Sequence, residues 1–162
     1  EGPGSFTGLR IACGVAQGLA FAAGIPVVGV GTLMAMAEST QSGRVICCLD
    51  ARMQEIYHAA YARSASAWDT VHAPGVYAPA VAPRVSDGGW LGCGNAFSVY
   101  RDVLTQRYHG QLAAVDAAIH PRAHEVVRLA VARFERGEGH DAAAAMPLYV
   151  RDKVALKTHE QR

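Results

Sequence analysis

The chain has 162 residues, 51% of them hydrophobic and 18% charged, with 15 Lys and Arg against 14 Asp and Glu for a formal net charge of +1. That length buries one sizeable core or two small subdomains, and the near-neutral balance gives no grounds for a strongly basic nucleic-acid surface. The four cysteines, Cys13, Cys47, Cys48 and Cys93, lack C-x-x-C spacing, which points away from a disulfide framework and toward reduced, buried thiols.

The chain opens on Gly2-Pro3-Gly4-Ser5-Phe6-Thr7-Gly8-Leu9-Arg10, a loop whose glycines and proline allow a sharp turn and close backbone approach. Such a loop ordinarily follows a strand, and only Glu1 precedes it here, so a strand–loop–helix unit lacking its strand is expected. Thr7 is a plausible N-cap for a helix over Gly8 to Ala23, which Gly24-Ile25-Pro26 stops. Val27 to Val30 reads as a short buried strand and Leu33 to Ser39 as a second helix. In the first helix, Gly14, Gly18 and Ala22 make one face nearly free of side chains, while Leu9, Ala12, Val15, Ala16 and Leu19 supply an apolar face. The smooth face calls for a close neighbour, either an intramolecular element or a partner helix. No charged residue occurs between Ile11 and Ala37, but Gly24, Pro26, Gly29 and Gly31 interrupt that run, which argues against a membrane span.

Gln41-Ser42-Gly43 is the best boundary candidate, dividing residues 1–42 from 43–162. Arg44 to Asp50 reads as a strand, Ala51-Arg52-Met53 as a turn and Gln54 to Tyr61 as an antiparallel return. A third strand is expected around Val71 to Tyr77, a short one at Trp90 to Cys93 and a helix from Gly94-Asn95 to about Arg107. The spacing then predicts a last strand at Val115 to Ala118 and a helix over Ala123 to Arg136, closed by Gly137-Glu138-Gly139.

Few residues offer chemistry. Ser5 could be pictured as a nucleophile, yet there is no G-x-S-x-G elbow and no base beside it, so a loop or cap hydrogen bond is its reading. The loop lacks a Walker-type lysine, which leaves at most a weak anion site of backbone N–H groups. His120 and His124 flank Pro121 without a third ligand, and a surface or structural role follows. Asp50, Arg52 and Glu55 form either a compact ion-paired corner of the hairpin or the edge of a cleft between subdomains. The tail from Tyr149 alternates apolar and charged residues and reads either as a solvated, disordered terminus, which its small basic excess favours, or as a contact to nucleic acid or a partner.

Gly2 to Ile11, Gly24-Ile25-Pro26-Val27-Val28-Gly29-Val30, Asp50-Ala51-Arg52-Met53-Gln54-Glu55-Ile56-Tyr57 and Pro147-Leu148-Tyr149-Val150-Arg151 together resemble the bacterial TsaB (YeaZ) family, in the same order along the chain. The resemblance implies an α/β chain of the actin-like ATPase fold (ASKHA, built of two RNase-H-like subdomains), with 1–42 the remnant of an N-terminally truncated first subdomain and 43–162 the second with its tail. It further implies a cytoplasmic, non-catalytic subunit of the machinery that makes threonylcarbamoyladenosine (t6A) at adenosine 37 of tRNAs reading codons that begin with A. The catalytic paralogue TsaD would be its partner in a heterodimer, TsaE a further one, and tRNA an indirect one. ATP and metal would enter through TsaD and TsaE, with none held by this chain alone, and a homodimer is a further expectation. The partner interface would lie on the first helix, at Leu9, Ala12, Gly14, Val15, Gly18 and Ala22. The motif positions that carry the resemblance are Gly2, Pro3, Gly4, Ser5, Gly8, Arg10, Asp50, Arg52 and Glu55. A glycoprotease-like hydrolase and a self-associating structural module are the competing readings.

Overall fold

The structure, a computed structural model describing residues 1–65 and 67–151, centres on one five-stranded sheet. Its strands are β1 (Arg44–Arg52), β2 (Glu55–Arg63), β3 (Trp68–Tyr77), β4 (Trp90–Cys93) and β5 (Leu112–Asp116), in the order β3-β2-β1-β4-β5. The β1–β2 and β2–β3 pairs are antiparallel, whereas β4 joins β1, and β5 joins β4, in parallel. A strand covered on both faces must be apolar at every position rather than at alternate ones, which is why Val45-Ile46-Cys47-Cys48 forms the centre of the sheet. Val45 and Cys47 face a cluster with Leu33, Met36 and Tyr61; Ile46 and Cys48 face the opposite cluster with Ile56, Phe97, Leu104 and Tyr108.

Helices α1 (Phe6–Ala23) and α2 (Thr32–Glu38) precede the sheet, α3 (Ala96–Val99) and α4 (Arg101–Arg107) lie between β4 and β5, and α5 (Ala123–Glu135) follows. Helix α2 covers one face of β1, and α3 with α4 covers the other. Glu38 at the end of α2 pairs with Arg63 of β2 and Arg128 of α5, which fastens three elements at one carboxylate. Cys47, Cys48 and Cys93 are buried free thiols, as the composition predicts, and Cys13 is half-buried. Burial pushes the Cys47 and Cys48 thiols well up, which keeps them protonated and unreactive.

Several boundaries differ from the sequence expectation. The N-cap of α1 is Ser5 rather than Thr7: Ser5 Oγ accepts from the Gly8 N–H at 3.4 Å, and the helix starts at Phe6. Val27 to Val30 does not form a strand. Only Val27 makes a bridge, to His140, and no strand of the described residues lies alongside the rest. The helix expected from Gly94 to Arg107 is two, broken at Tyr100 (φ −118°, ψ 38°), whose hydroxyl reaches back to Asp50. The last strand sits at Leu112–Asp116 instead of Val115 to Ala118, because its partners on β4 set the register from Trp90 onward. The hairpin strands run to Arg52 and from Glu55, tighter than expected, since Arg52, Met53 and Gln54 all adopt left-handed φ of 62°, 53° and 60°. The tail expectation beyond Arg151 lies outside the described residues.

Helix α1 stands apart from this core. It has 18 residues with a mean hydropathy of 1.3, long and apolar enough by length and composition to cross a membrane, and Gly24 ends it in the left-handed conformation at φ 65°. Its single buried residue is Ala20. What holds it is the segment near residue 145: the Cys13 thiol and the Gln17 amide both donate to the Ala145 carbonyl, at 3.0 and 2.8 Å.

Candidate functional site

Three blocks far apart in the chain meet around one cleft of about 610 Å³. The glycine loop Pro3–Phe6 forms one wall, the β1–β2 hairpin from Leu49 to Met53 the opposite wall, and Leu148–Arg151 a strap along the rim. Each wall follows from local chemistry. The loop is placed by two backbone contacts, Thr32 N–H to the Gly2 carbonyl at 2.8 Å and the Leu148 N–H to the Glu1 carbonyl at 3.0 Å. Gly2 is required there: its φ is 134°, and a Cβ would stand 2.8 Å from the Leu148 carbonyl oxygen.

Asp50 organises the hairpin wall. Its side chain is 9% exposed; its Oδ1 accepts from the Arg52 N–H at 3.0 Å and from the Tyr100 hydroxyl at 3.2 Å, and its Oδ2 lies 3.4 Å from the Arg52 guanidinium. Asn95 completes the corner, its Oδ1 accepting from the Asp50 N–H at 2.9 Å. Partial burial and the Asp50 carboxylate raise the Tyr100 hydroxyl above its ordinary range, which keeps it a donor. The Arg52 side chain itself is 87% exposed and projects from the rim.

Glu55 does not join that corner. It pairs with Arg151 on the strap, and the same guanidinium lies 3.7 Å from the Met53 sulfur and 6.0 Å from the Tyr57 ring centre. On the loop side, Arg10 lies 3.8 Å over the Phe6 ring and donates from Nε to the Tyr149 hydroxyl at 2.9 Å. The expected trio of Asp50, Arg52 and Glu55 is thus divided: Asp50 pairs with Arg52 at the hairpin corner that lines the cleft, and Glu55 pairs with Arg151 of the strap.

The six positions expected at an interface divide between two sides of α1. Leu9 and Ala12 line a second, apolar groove of about 570 Å³ beneath the helix, with Ala16, Val28, Val30 and Met146. Gly14, Val15, Gly18 and Ala22 are exposed on the other side, where a Cβ on either glycine would meet no atom within 4 Å. Ile11 and Leu19 share this exposure, at 62% and 68%. No described segment of the chain covers that side.

Ser5 is engaged as the helix cap, in keeping with its structural reading. His120 and His124 bind separately, to the Ala118 carbonyl and to Glu125, and no set of three His, Cys, Asp or Glu among the described residues could hold a metal ion. Sequence reasoning missed Asn95, Tyr100 and the strap as parts of the cleft. Their partners lie 45 to 139 residues away, and no local periodicity reports such a contact.

Comparison with known proteins agrees with this architecture. The family model described as TsaD, tRNA N6-adenosine threonylcarbamoyltransferase, matches residues 1–158. The chain is 34% identical over 165 residues to the tRNA threonylcarbamoyladenosine biosynthesis protein TsaB of Escherichia coli K12, covering 97% of this chain and 71% of that one. It is 30% identical over 170 residues to the TsaB of Haemophilus influenzae, covering 97% and 70%. Among solved structures, a Pseudomonas aeruginosa protein described as similar to the peptidase YeaZ superposes with a TM-score of 0.83 at 34% identity, covering 93% of this chain and 70% of that one. YeaZ from Pseudomonas aeruginosa superposes with a TM-score of 0.81 at 34% identity, covering 91% and 70%. With its mixed five-stranded sheet and these matches along nearly its whole length, the chain belongs to the TsaB (YeaZ) family of the actin-like ATPase fold.

Proposed function

We propose that this chain serves tRNA threonylcarbamoyladenosine biosynthesis as a non-catalytic subunit that docks a TsaD-type catalytic partner through the outer side of α1. The observation that carries the reading is the likeness to two TsaB proteins across 97% of the chain, each named for that pathway. The outer side of α1 supports the docking role: an exposed helix with Ile11, Val15 and Leu19 beside a bare Gly14–Gly18 strip can take a second helix at close range. TsaE, ATP and metal belong to the assembled complex in this reading, tRNA is reached through the partner, and the setting is the cytoplasm. The division into residues 1–42 and 43–162 is part of the same proposal, with α2 resting on the sheet of the second unit.

Size exclusion with light scattering, on the chain alone and mixed with TsaD, tests the proposal. A stable heteromer is expected, and Gly14→Leu with Gly18→Leu should abolish it while leaving the circular dichroism unchanged. Pairing that survives both substitutions sinks the interface assignment. Mass doubling of the chain alone that disappears with the same substitutions would instead favour the self-associating module. The hydrolase reading requires that Ser5→Ala abolish an activity, and the capping role of Ser5 gives that residue another task.

A further inference from the structure

The rim of the cleft is built from segments that bond mainly to one another. Helix α1, the glycine loop and the segment from Ala142 to Tyr149 hold one another: Cys13 and Gln17 bond Ala145, Arg10 bonds Tyr149, and Glu1 bonds Leu148. The sheet with its covering helices is a separate packed layer, to which α1 contributes no residue of either core cluster. At the back of the cleft Thr32 of α2 holds the Gly2 carbonyl, and at its mouth the side-chain link among the described residues is Arg151, which leaves the strap to reach Glu55, Met53 and Tyr57 on the hairpin. Its side chain is only 15% exposed, against 37% for Glu55.

We propose that Arg151 is an electrostatic latch: seated on Glu55 it holds the strap Pro147–Arg151 across the cleft mouth, and when that pair is screened or competed for the strap lifts and the cleft opens. The inference rests on the strap and hairpin geometry and is independent of the partner assigned to α1. A partly exposed ion pair responds to ionic strength once opening admits counter-ions, whereas a core contact does not.

Trypsin reads the latch directly, because cleavage after an arginine requires its side chain to enter the protease. The chain and its Glu55→Gln variant are digested briefly at low salt and at 0.5 M sodium chloride, a roughly physiological-to-high range of screening. The fragment ending at Arg151 is quantified by mass spectrometry relative to cleavage after the exposed Arg122. At low salt, Glu55→Gln should raise relative cleavage at Arg151 by about tenfold, and salt should raise it in the parent chain but not in the variant. Cleavage after Arg44 and Arg63, at the ends of the sheet strands, should stay constant. Equal cleavage at Arg151 in both proteins at both salts overturns the latch. So does a parallel rise at Arg44 and Arg63, which would make Glu55 a contributor to overall stability and nothing more.

Discussion

The indole nitrogen of Trp68 donates to Oε2 of Glu38 across 2.8 Å, joining the first residue of β3 to the last residue of α2. Arg63 reaches the same oxygen at 2.6 Å. Burial alone would raise the Glu38 carboxyl, but the Trp68 and Arg63 hydrogen bonds outweigh it and hold the group below its ordinary 4.5. A carboxyl lowered by folding contributes stability that is present above its unfolded value and lost as pH falls through the folded one. Glu38→Gln is therefore expected to cost about 1–2 kcal/mol in urea unfolding at neutral pH. The difference from the parent should vanish in acid, below the folded value; a difference that persists there would rule out the charge as its source.

His58 gives a pH dependence in the same direction through a different cause. It is fully buried, neither ring nitrogen has a partner among the described residues, and the Tyr108 ring stacks on it at 6.3 Å. Burial, with a smaller contribution from His72, pushes it down from 6.5 to about 3. Below 6.5 the unfolded chain takes up a proton that the folded one refuses, so stability falls with pH across the window from 6.5 to about 3. The loss should approach about 3 kcal/mol near pH 4. His58→Phe should leave stability at neutral pH within about 1 kcal/mol and flatten this slope. An unchanged slope in the variant would assign it to other groups.

Gly94 is the position where backbone conformation is least negotiable. Its φ is 102°, and a Cβ would stand 2.3 Å from the Cys48 carbonyl oxygen, which is backbone and cannot yield. Gly94→Ala should cost about 3 kcal/mol and displace Asn95 from Asp50. Chemical denaturation gives the first quantity. A shift of the Tyr100 ultraviolet titration toward its ordinary range reports the second.

On α1 the opposite holds for two glycines. Open space surrounds the Cβ positions of Gly14 and Gly18. Gly14→Ala and Gly18→Ala should each stabilise the isolated chain by up to about 1 kcal/mol, the difference in helix propensity. Thermal melts of the single variants measure this, and a loss in either would mean that another surface covers the helix in solution.

The sheet was legible because its signals are local. Val45 to Leu49 is apolar without interruption, Trp90 to Cys93 falls between glycine-rich stretches, and the hairpin return follows at once. Three of the four cysteines, Cys47, Cys48 and Cys93, lie in this interior as free thiols. What local patterns could not report was how the ends of those strands are used. Glu55 sits three residues from Arg52 in sequence, and charge proximity suggested one corner; the two point to different partners because Arg151, 96 residues further on, takes the carboxylate. Val27 to Val30 carried the composition of a strand, yet a strand needs a neighbour, and that is a property of the assembly rather than of four residues. The spacing in α1 marks a helix, but the apolar face expected from Leu9, Ala12, Val15, Ala16 and Leu19 is divided: Leu9, Ala12 and Ala16 line the groove, while Val15 and Leu19 lie exposed on the side of Gly14 and Gly18. Alanines and glycines populate both sides, so composition does not separate them.

Arg10 and Tyr149 are separated by 139 residues, so the rim of the cleft can close only after all five strands of the sheet have been made. At translation speeds of roughly 5–20 residues per second, the apolar helix emerges on the order of ten seconds before the segment that fastens it. During that interval Leu9, Ala12 and Ala16 lack the segment from Ala144 to Pro147 that they later face. Nascent-chain chaperones, or a partner already present at the ribosome, would find the helix before its own strap does.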